Sequence, residues 1–378
     1  MSQIETISTR EITPFRFDIV GSFLRPQALK DARQKFQNNE ISATQLRAVE
    51  DQEIVRLIAK QKQVGLKAVT DGEFRRSWWH LDFMWGFNGI EKFSSDKGYV
   101  FKGFVTRAET ARVSGKIQYN PNHPFIEHFM FLKEAAGEGV IARQAIPAPA
   151  QILHEVLRGD NRASTDAVYA SVDEVIADLA EAYRQTILAF YAAGCRSLQL
   201  DDTTWGVLCD PKNRAVMESS GTNVDEALAR YAKINEIATN DLPGDLVITT
   251  HVCRGNFRST YMATGSYDVI ADAYFNQPNY DAYYLEFDTE RAGGFEVLKG
   301  LKGRKVVLGL VSSKTGELED RAHIIARIRE AAQYVNLDDI CLSPQCGFAS
   351  TEEGNLLTEE EQWKKLAFIR DVAGEVWG

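Results

Sequence analysis

The stretch Val247-Ile248-Thr249-Thr250-His251-Val252-Cys253 has the pattern of a buried β-strand that runs into two metal-binding side chains. Residues two apart on a strand point to the same side, so His251 and Cys253 can bind one ion. Two more apolar runs end in the same way, Tyr283-Tyr284-Leu285 before Glu286 and Ile340-Cys341-Leu342 before Ser343-Pro344-Gln345-Cys346. One imidazole, one carboxylate and two thiolates suit Zn²⁺, whereas Mg²⁺ and Ca²⁺ prefer oxygen ligands. The sequence therefore predicts a zinc site of His251, Cys253, Glu286 and Cys346.

This cluster of four residues leaves alternatives open. A His-x-Cys pair alone is more often an unrelated pair in the core, and the addition of Glu286 and Cys346 is what favours a metal. A zinc ion that only braces the fold is another alternative, although structural sites usually use close Cys-x-x-Cys pairs. Asp288 is the alternative carboxylate, because it has the same strand parity as Glu286.

Composition and charge favour a small-molecule ligand. The chain has 378 residues, 44% hydrophobic and 25% charged, which fits a soluble globular protein. A net charge of −10 argues against nucleic acid or an anionic membrane as the main partner, because either would need a basic surface. The segment from Met1 to Thr13 is polar and no run is long enough to span a membrane, so we expect a cytoplasmic protein. Cys195, Cys209 and Cys341 are expected to be reduced, buried apolar residues.

Short apolar runs alternate with helical segments along the chain, which is typical of βα units around a parallel sheet. The eight candidate strands are 19–22, 67–70, 141–146, 197–200, 246–250, 282–285, 306–310 and 340–343. Eight such units predict an α/β fold of the (β/α)₈ TIM-barrel type, with residues 1–378 as a single domain. Apolar residues at helical spacing predict helices over 43–64 and 171–193, which end before Gly65 and Gly194. Residues 88–124 alternate polar and apolar instead, and are expected to form a hairpin insertion after the second strand.

In a barrel of this kind the functional groups lie at the C-terminal ends of the strands, where all four proposed ligands fall. Other polar residues at strand ends are Ser22, Asp71, Glu73, Asp201, Asp202 and Lys314. Because Asp201 and Asp202 are adjacent, only one can point inward; we expect Asp201 to do so and Asp202 to cap the next helix or pair with arginine. Glu73 has a second interpretation, as a helix N-terminal carboxylate with Arg75 and Arg76 as solvated charges.

The aromatic run Trp78-Trp79-His80-Leu81-Asp82-Phe83-Met84-Trp85 follows Glu73. Such a run more often packs in a core or a lid than lines a pocket, although aromatic walls do exclude water from small-molecule sites. His123, His128, His154 and His323 lack a partner at ligand spacing and are expected to be structural. His80 stays open, because it follows Glu73.

Together these motifs resemble the catalytic barrel of the cobalamin-independent methionine synthases, in particular the short single-barrel members of that family. The matching segments, in the family's order, are Val20-Gly21-Ser22, Asp71-Gly72-Glu73, Leu200-Asp201-Asp202, His251-Val252-Cys253, Asp281 to Glu286, and Ser343-Pro344-Gln345-Cys346-Gly347. The resemblance spans nearly the whole chain. It implies a TIM barrel, bound zinc and transfer of a methyl group to the thiol of homocysteine.

By that resemblance, His251, Cys253, Glu286 and Cys346 are the zinc ligands. Gly21, Ser22, Glu73 and Asp201 are the residues that hold the amino acid portion of homocysteine. Lys314 stands where the family's proton-donating histidine is expected, so Lys314 and Asp201 are the catalytic candidates. The alternative is that Lys314 is a surface lysine.

The charge of the proposed ligand set favours alkyl transfer over hydrolysis. Two thiolates and a carboxylate around a divalent ion give a net charge near −1, which weakens the ion as a Lewis acid for water and keeps bound sulfur electron-rich. The predicted function is a zinc-dependent methyltransferase that moves a methyl group from a methylfolate or another donor to a small thiol. The alternatives are the same chemistry on another thiol, such as coenzyme M attacking an epoxide, and a zinc hydrolase.

Overall fold

The structure is a computed structural model and describes residues 13–378, so the polar segment Met1 to Thr13 lies outside the described residues except for Thr13. The strands are β1 (Ala68–Val69), β2 (Asn88–Ser94), β3 (Val100–Phe101), β4 (Phe104–Val105), β5 (Glu109–Gln118), β6 (Ile141–Ala142), β7 (Gln144–Pro147), β8 (Ser197–Asp202), β9 (Val247–Val252), β10 (Ala282–Glu286), β11 (Lys305–Val311) and β12 (Ile340–Pro344).

Helices occupy most of the chain between these strands. The α-helices are α1 (Gln27–Gln37), α2 (Ala43–Val64), α3 (Leu81–Met84), α4 (Pro124–Ala136), α5 (Pro149–Leu157), α6 (Asn161–Asp166), α7 (Val172–Ala192), α8 (Thr204–Cys209), α9 (Pro211–Ser219), α10 (Val224–Thr239), α11 (Ala271–Phe275), α12 (Arg321–Ala331) and α13 (Glu359–Trp377). Short 3₁₀ helices cover Tyr267–Val269, Glu290–Ala292, Glu296–Leu301 and Leu337–Asp339. Within residues 13–378, no helix combines the length and the apolar character needed to cross a bilayer.

The central sheet is parallel and gives the molecule its α/β architecture. Six strands pair in the order β12-β11-β10-β9-β8-β7. β6, which comes just before β7, pairs in parallel with β1. At the opposite edge of the six-stranded sheet, Phe17 forms a parallel bridge to Leu342 in β12. Seven of the eight predicted runs overlap these strands.

The first predicted strand, Ile19 to Ser22, is wrong: in the described chain no strand is assigned there. The carbonyls of Ile19, Val20 and Gly21 accept from side chains, and that of Ser22 accepts from Phe348 N, so no neighbouring strand of the described chain binds the segment. Ile19 N donates to Asp18 Oδ1 over 2.7 Å, and Val20 O accepts from Gln199 Nε2 over 2.7 Å. Gly21 O accepts from Thr70 Oγ1 over 2.6 Å. The segment is therefore held against the sheet without adding a full ladder to it.

The two predicted long helices are confirmed, with local caps that explain their ends. α2 begins after Ser42, whose side chain accepts from Gln45 N while the Gln45 side chain accepts from Ser42 N. It ends at Gly65, where φ is 97°, a left-handed conformation that favours glycine. α7 covers Val172–Ala192 and begins after Ser171, whose side chain accepts from Glu174 N.

Residues 88–118 form antiparallel pairs, as the alternating pattern predicts. β2 pairs with β5, and the short strands β3 and β4 pair with each other between them. The pair is bound to the connection between α6 and α7, since Ile117 N donates to Tyr169 Oη over 2.7 Å. This segment thus projects Tyr99 and Phe101 toward the end of the sheet where the strands of the candidate site finish.

A buried ion pair joins Arg143, between β6 and β7, to Asp18 near the start of the described chain. Arg143 and Asp18 are both fully buried, and Arg143 Nη1 lies 2.6 Å from Asp18 Oδ1 and 2.6 Å from Tyr284 Oη. A buried pair of this kind is costly to break, because the remaining charge would have no partner. It fixes Tyr284, whose backbone carbonyl contacts the candidate site.

Candidate metal centre

Four metal-binding side chains meet at the C-terminal ends of three parallel strands. His251 is near the end of β9 and Cys253 follows that strand, while Glu286 is the last residue of β10 and Cys346 follows β12. Their ligand atoms all lie within 4.8 Å of one another, and all four residues are buried. The structure therefore brings together the four residues that the sequence predicts as ligands, in an arrangement that could hold a metal ion.

The two sulfur atoms lie in contact without a covalent bond. Cys253 Sγ is 3.5 Å from Cys346 Sγ, and both cysteines are free. The contact with Cys253 holds the pKa of the Cys346 thiol well below its ordinary value; burial opposes this, and the charge of His251 supports it. Thiolate character is what a metal-binding cysteine needs.

His251 presents one ring nitrogen to the cluster. Its Nδ1 lies 3.3 Å from the carbonyl oxygen of Tyr284, while its Nε2 is buried and has no hydrogen-bond partner among the described residues. Donation from Nδ1 to that carbonyl leaves the lone pair on Nε2, which is the arrangement usual for a metal-binding histidine. Burial acts to lower the pKa of His251, but Cys346, Asp201 and Glu286 raise it to about 9, so a metal ion that binds at Nε2 would displace a proton there.

Glu286 is held in place through both carboxylate oxygens. Oε1 accepts from Arg254 N over 3.0 Å and Oε2 accepts from Arg291 Nη2 over 3.0 Å. Burial acts to raise the pKa of Glu286, but Lys314, Arg291 and His251 lower it. Asp288, the alternative carboxylate, lies outside the cluster and binds Arg291 over 2.7 Å.

A narrow cavity opens beside the cluster and brings the predicted substrate residues to it. Its walls include Ser22, Glu73 and Asp201 together with His251, Cys253 and Cys346. Gly21 is not on this wall; its φ of 138° turns the chain there, and its carbonyl binds Thr70. Gly347 lies so close to Ser22 that a Cβ there would be 1.9 Å from Ser22 Oγ, so only glycine fits.

Glu73 lies in a turn with φ of 61°, not at the start of a helix, so its alternative interpretation is wrong. Oε1 lies 3.3 Å from Arg76 Nη1, whereas Oε2 is buried without a partner in the described chain. Burial raises the pKa of Glu73 to about 7, although Arg76 and Arg25 act to lower it. The side chains of Arg75 and Arg76 are 2% and 3% exposed, so the prediction that they are solvated is also wrong.

Asp201 and Asp202 point to different places, as the strand geometry predicts. Asp201 lines the cavity and accepts from Gln199 Nε2 over 2.8 Å. Burial raises the pKa of Asp201 to about 6, against the charge of His251. Asp202 instead accepts from Thr204 N over 2.8 Å at the start of α8.

Lys314 is buried, so the alternative of a surface lysine is wrong. Its side chain lies next to the metal cluster, but its Nζ is 3.3 Å from Asn256 Oδ1 and it is not among the residues that line the cavity. Asn256 also donates to the carbonyl of Gly347 over 2.7 Å. Proton donation by Lys314 therefore stays a prediction.

Sequence reasoning missed several residues that support the ligands. Arg291 binds Glu286 and Asp288, Asn256 joins Lys314 to Gly347, and Arg254 stacks on the Tyr267 ring at 4.2 Å. Arginine and asparagine are common on protein surfaces, so nothing in their type marks them. The one available signal was that Arg254 and Asn256 directly follow the His-x-Cys motif.

A second cavity adjoins the first and is lined by the aromatic run. Trp78, Trp79 and His80 are on its wall, as are Tyr99 and the predicted structural histidine His154. Leu81, Phe83 and Met84 are fully buried in the core instead. Some side chains of this aromatic run therefore pack in the core, and others form part of the cavity wall.

The fold and the site together define an α/β protein with a candidate metal centre at its strand ends. The family model for "Cobalamin-independent synthase, Catalytic domain" matches residues 151–375. Two Bacillus subtilis proteins of unassigned function, YxjH and YxjG, are 46% and 45% identical over 96% and 97% of this chain and 95% and 96% of their own lengths. The chain thus belongs to the catalytic-domain family of the cobalamin-independent methionine synthases, a family of methyltransferases, and the resemblance drawn from its motifs is confirmed.

More distant relatives agree with this membership. A 5-methyltetrahydropteroyltriglutamate–homocysteine methyltransferase of Nitrosomonas europaea is 20% identical over 87% of this chain, which spans 39% of that protein. A structure from Listeria monocytogenes, assigned to the vitamin-B12-independent methionine synthases, has a TM-score of 0.76 and 40% identity, covering 97% of this chain and 99% of that one. A B12-independent methionine synthase of Shewanella sp. W3-18-1 shares the fold, with a TM-score of 0.71 at 18% identity over 96% of this chain and 97% of that one.

Proposed function

We propose that this protein is a zinc-dependent thiol methyltransferase that converts homocysteine to methionine. The observation that carries the proposal is the buried cluster of His251, Cys253, Glu286 and Cys346 beside a cavity that Glu73 and Asp201 line. A metal ion held by these four side chains next to two carboxylates suits a substrate with a thiol at one end and an ammonium group at the other. Homocysteine has both groups.

The donor set fits zinc. Two sulfur atoms, one imidazole nitrogen left free at Nε2 and one carboxylate form a mixed set that zinc accepts and that harder ions do not favour. When bound, zinc lowers the pKa of a coordinated thiol and so supplies nucleophilic sulfur at neutral pH. Arg291 and the backbone of Arg254 orient Glu286, and the Tyr284 carbonyl orients His251.

The cavity residues would bind the amino acid end of the substrate. Glu73 and Asp201 can accept hydrogen bonds from the substrate ammonium group, and Ser22 can donate one to the substrate carboxylate. Gly21 contributes through the turn that positions Ser22. Lys314 would influence the site indirectly, through its hydrogen bond to Asn256 and through its positive charge near Glu286. Asp201, at the base of the cavity, is proposed to be catalytic by holding the substrate for attack.

We also infer that the parallel strands close into a barrel of the eight-stranded type, in which segment 17–22 takes the place of the first strand without forming a full ladder. We further infer that the chain forms one domain. The sheet order, the β1–β6 pair and the Phe17–Leu342 bridge support closure, as does the backbone hydrogen bond from Phe23 N to Gly72 O over 3.1 Å. The antiparallel segment within 88–124 is then an insertion after the second barrel strand. The five cysteines of the protein are all free, which fits the reducing environment of the cytoplasm.

The test is formation of methionine by the purified protein. Protein stripped with a chelator should be inactive, and one equivalent of zinc should restore methionine formation from homocysteine and a methyl donor, with methyltetrahydrofolate among the donors tried. Zinc-loaded protein that forms no methionine from any donor would contradict the proposal. Product analysis by mass spectrometry gives the readout.

A further inference from the structure

The second cavity has no role in the function proposed above. Its volume is about 100 Å³, and it shares Trp79, Cys253 and Ser350 with the cavity of the substrate thiol. Five aromatic side chains contribute to its wall: Trp78, Trp79, Tyr99, Phe101 and Phe257. A molecule bound there would lie against the Cys253 side of the metal cluster, where a methyl donor is required.

The wall of this cavity provides no acid. Among the described residues that line it there is no aspartate, glutamate, lysine or arginine. Burial lowers the pKa of His80 to about 4, and burial likewise lowers the pKa of His154 to about 4, so both are neutral at pH 7. Lys314 lies behind Asn256 and does not line the cavity.

Hydrogen bonds fix which ring nitrogen of His80 carries the proton. Glu155 is fully buried and its carboxylate accepts from Arg158 over 2.7 and 2.9 Å, so it is charged and can only accept. Tyr99 Oη therefore donates to Glu155 over 2.9 Å and accepts from His80 Nε2 over 3.0 Å. His80 Nδ1, buried and without a partner in the described chain, is left with its lone pair. It has no proton to give to a departing group.

The aromatic wall favours a cation. Arg107 already covers one face of Trp78 at 4.7 Å and Arg158 covers Tyr99 at 4.4 Å. No cation lies over the rings of Trp79, Phe101 and Phe257 within residues 13–378. One side of each of these rings is already occupied, because Trp79 packs against His80 at 4.7 Å and Phe101 and Phe257 pack against each other at 5.3 Å. The face that remains on each ring can attract a quaternary ammonium or similar group. The volume is also well below the roughly 300 Å³ that a drug-sized ligand needs.

We propose that the second cavity binds a methyl onium donor, a compact sulfonium or quaternary ammonium compound; this rests on the proposed thiol methyltransferase. The sulfur of the thiol forms a bond to the methyl carbon, and the electron pair of the broken bond stays on the departing sulfur or nitrogen. The donor leaves as a neutral thioether or tertiary amine, and no proton is consumed. A donor such as methyltetrahydrofolate needs its leaving nitrogen protonated, which this wall does not provide.

The binding test compares choline with its uncharged isostere 3,3-dimethylbutan-1-ol on zinc-loaded protein. Quenching of tryptophan fluorescence should show that choline binds about tenfold more tightly, because only choline gains attraction from the ring faces. Trp79→Leu should reduce this preference, while Trp377→Leu, on the last turn of α13, should leave it unchanged. Equal affinity for the two compounds would overturn the proposal.

The activity test follows a labelled methyl group into methionine. Zinc-loaded protein and homocysteine labelled with ¹³C in its carbon chain are incubated separately with S-methylmethionine, glycine betaine and methyltetrahydrofolate, each with trideuterated methyl groups. Only methionine that carries both labels counts as product, because the group that leaves S-methylmethionine is itself methionine. Label from S-methylmethionine identifies a sulfonium donor, and label from glycine betaine identifies a quaternary ammonium donor. Label from methyltetrahydrofolate alone would overturn the proposal and leave the thiol methyltransferase standing. If the sulfur of homocysteine does not bind to the zinc, the proposed thiol methyltransferase function is wrong. The comparison of choline with its uncharged isostere then still tests whether the second cavity prefers a cation.

Discussion

At the scale of single residues, Cys346 is in contact with the other parts of the candidate site or influences them by its charge. Its sulfur contacts Cys253, its charge raises the pKa of His251, and its side chain lines the cavity with Glu73 and Asp201. It lies two residues beyond β12, so its loss leaves the sheet ladder intact. Its substitution should therefore separate metal binding from folding.

Cys346→Ser should abolish zinc retention and methyl transfer while the far-UV circular dichroism spectrum is kept. Serine is a poor zinc ligand, but it fills nearly the same volume. Metal analysis after gel filtration measures the loss. Cys195→Ser is the matched control, since the buried thiol of Cys195 donates to Ser197 O and a hydroxyl can do the same. A Cys346→Ser protein that keeps one zinc per chain would argue against this ligand set.

Glu73→Gln should make stability depend less on pH. Burial raises the pKa of Glu73 to about 7 in the folded state, from an ordinary value of 4.5. The stability this gives is fully present below pH 4.5 and is lost as the pH rises through 7. Between pH 5 and 7.5 the free energy of unfolding of Glu73→Gln should thus fall about 2 kcal/mol less than that of the wild type.

Chemical denaturation at the two pH values measures this difference, and homocysteine binding should weaken in the same variant. Glu360→Gln is the control, because Glu360 is exposed on α13. If the free energy of unfolding of Glu73→Gln changes with pH as much as that of the wild type, the Glu73 carboxylate ionises in the folded protein without a penalty, and the prediction is wrong.

Residue types at strand ends were enough to predict the four cluster residues and the inward side chain of Asp201. Strand parity and the rarity of cysteine and histidine carry that information in the sequence. The supporting contacts of Arg291 and Asn256 were not predictable, because they join segments far apart in the chain. The helix-terminus interpretation of Glu73 stayed open from the sequence, because the turn that excludes it depends on a positive φ that glutamate does not favour.

At the scale of elements, the antiparallel segment of β2 to β5 supplies one wall of the second cavity. Tyr99 and Phe101 come from it, and Tyr99 connects His80 to Glu155 of α5. The period-two pattern predicted the pairing of this segment but not which of its side chains line the second cavity. At Ile19 the apolar pattern predicted a strand that does not form, because side chains such as Gln199 and Thr70 bind its backbone carbonyls instead of a neighbouring strand.

Tyr99→Phe should destabilise the protein by about 1–3 kcal/mol, because His80 Nε2 loses its buried acceptor and Glu155 loses a donor. Choline should also bind less tightly, while homocysteine binding stays as in the wild type. Urea denaturation and fluorescence titration measure the two effects. Tyr334→Phe, which removes a hydroxyl bound to Glu296 near the surface, should change stability by less than about 0.5 kcal/mol. Similar effects from both variants would argue against the Arg158-Glu155-Tyr99-His80 chain.

At the scale of the whole molecule, parallel pairing brings the ends of β9, β10 and β12 to the same level. This is why the candidate ligand atoms of residues separated by up to 95 positions, from His251 to Cys346, lie within 4.8 Å of one another. The alternation of apolar runs and helices predicted this arrangement, because parallel strands put all their C-terminal ends on one side. The two adjoining cavities were not predictable, since they depend on how loops from several units pack together.

X-ray absorption at the zinc edge tests most directly whether this cluster activates a thiol. With zinc bound, two sulfur scatterers from Cys253 and Cys346 are expected, and addition of homocysteine should raise the number to three. A count that stays at two in saturating homocysteine, or a protein that takes up no zinc, would contradict thiol activation at this site and favour a hydrolytic or purely structural metal.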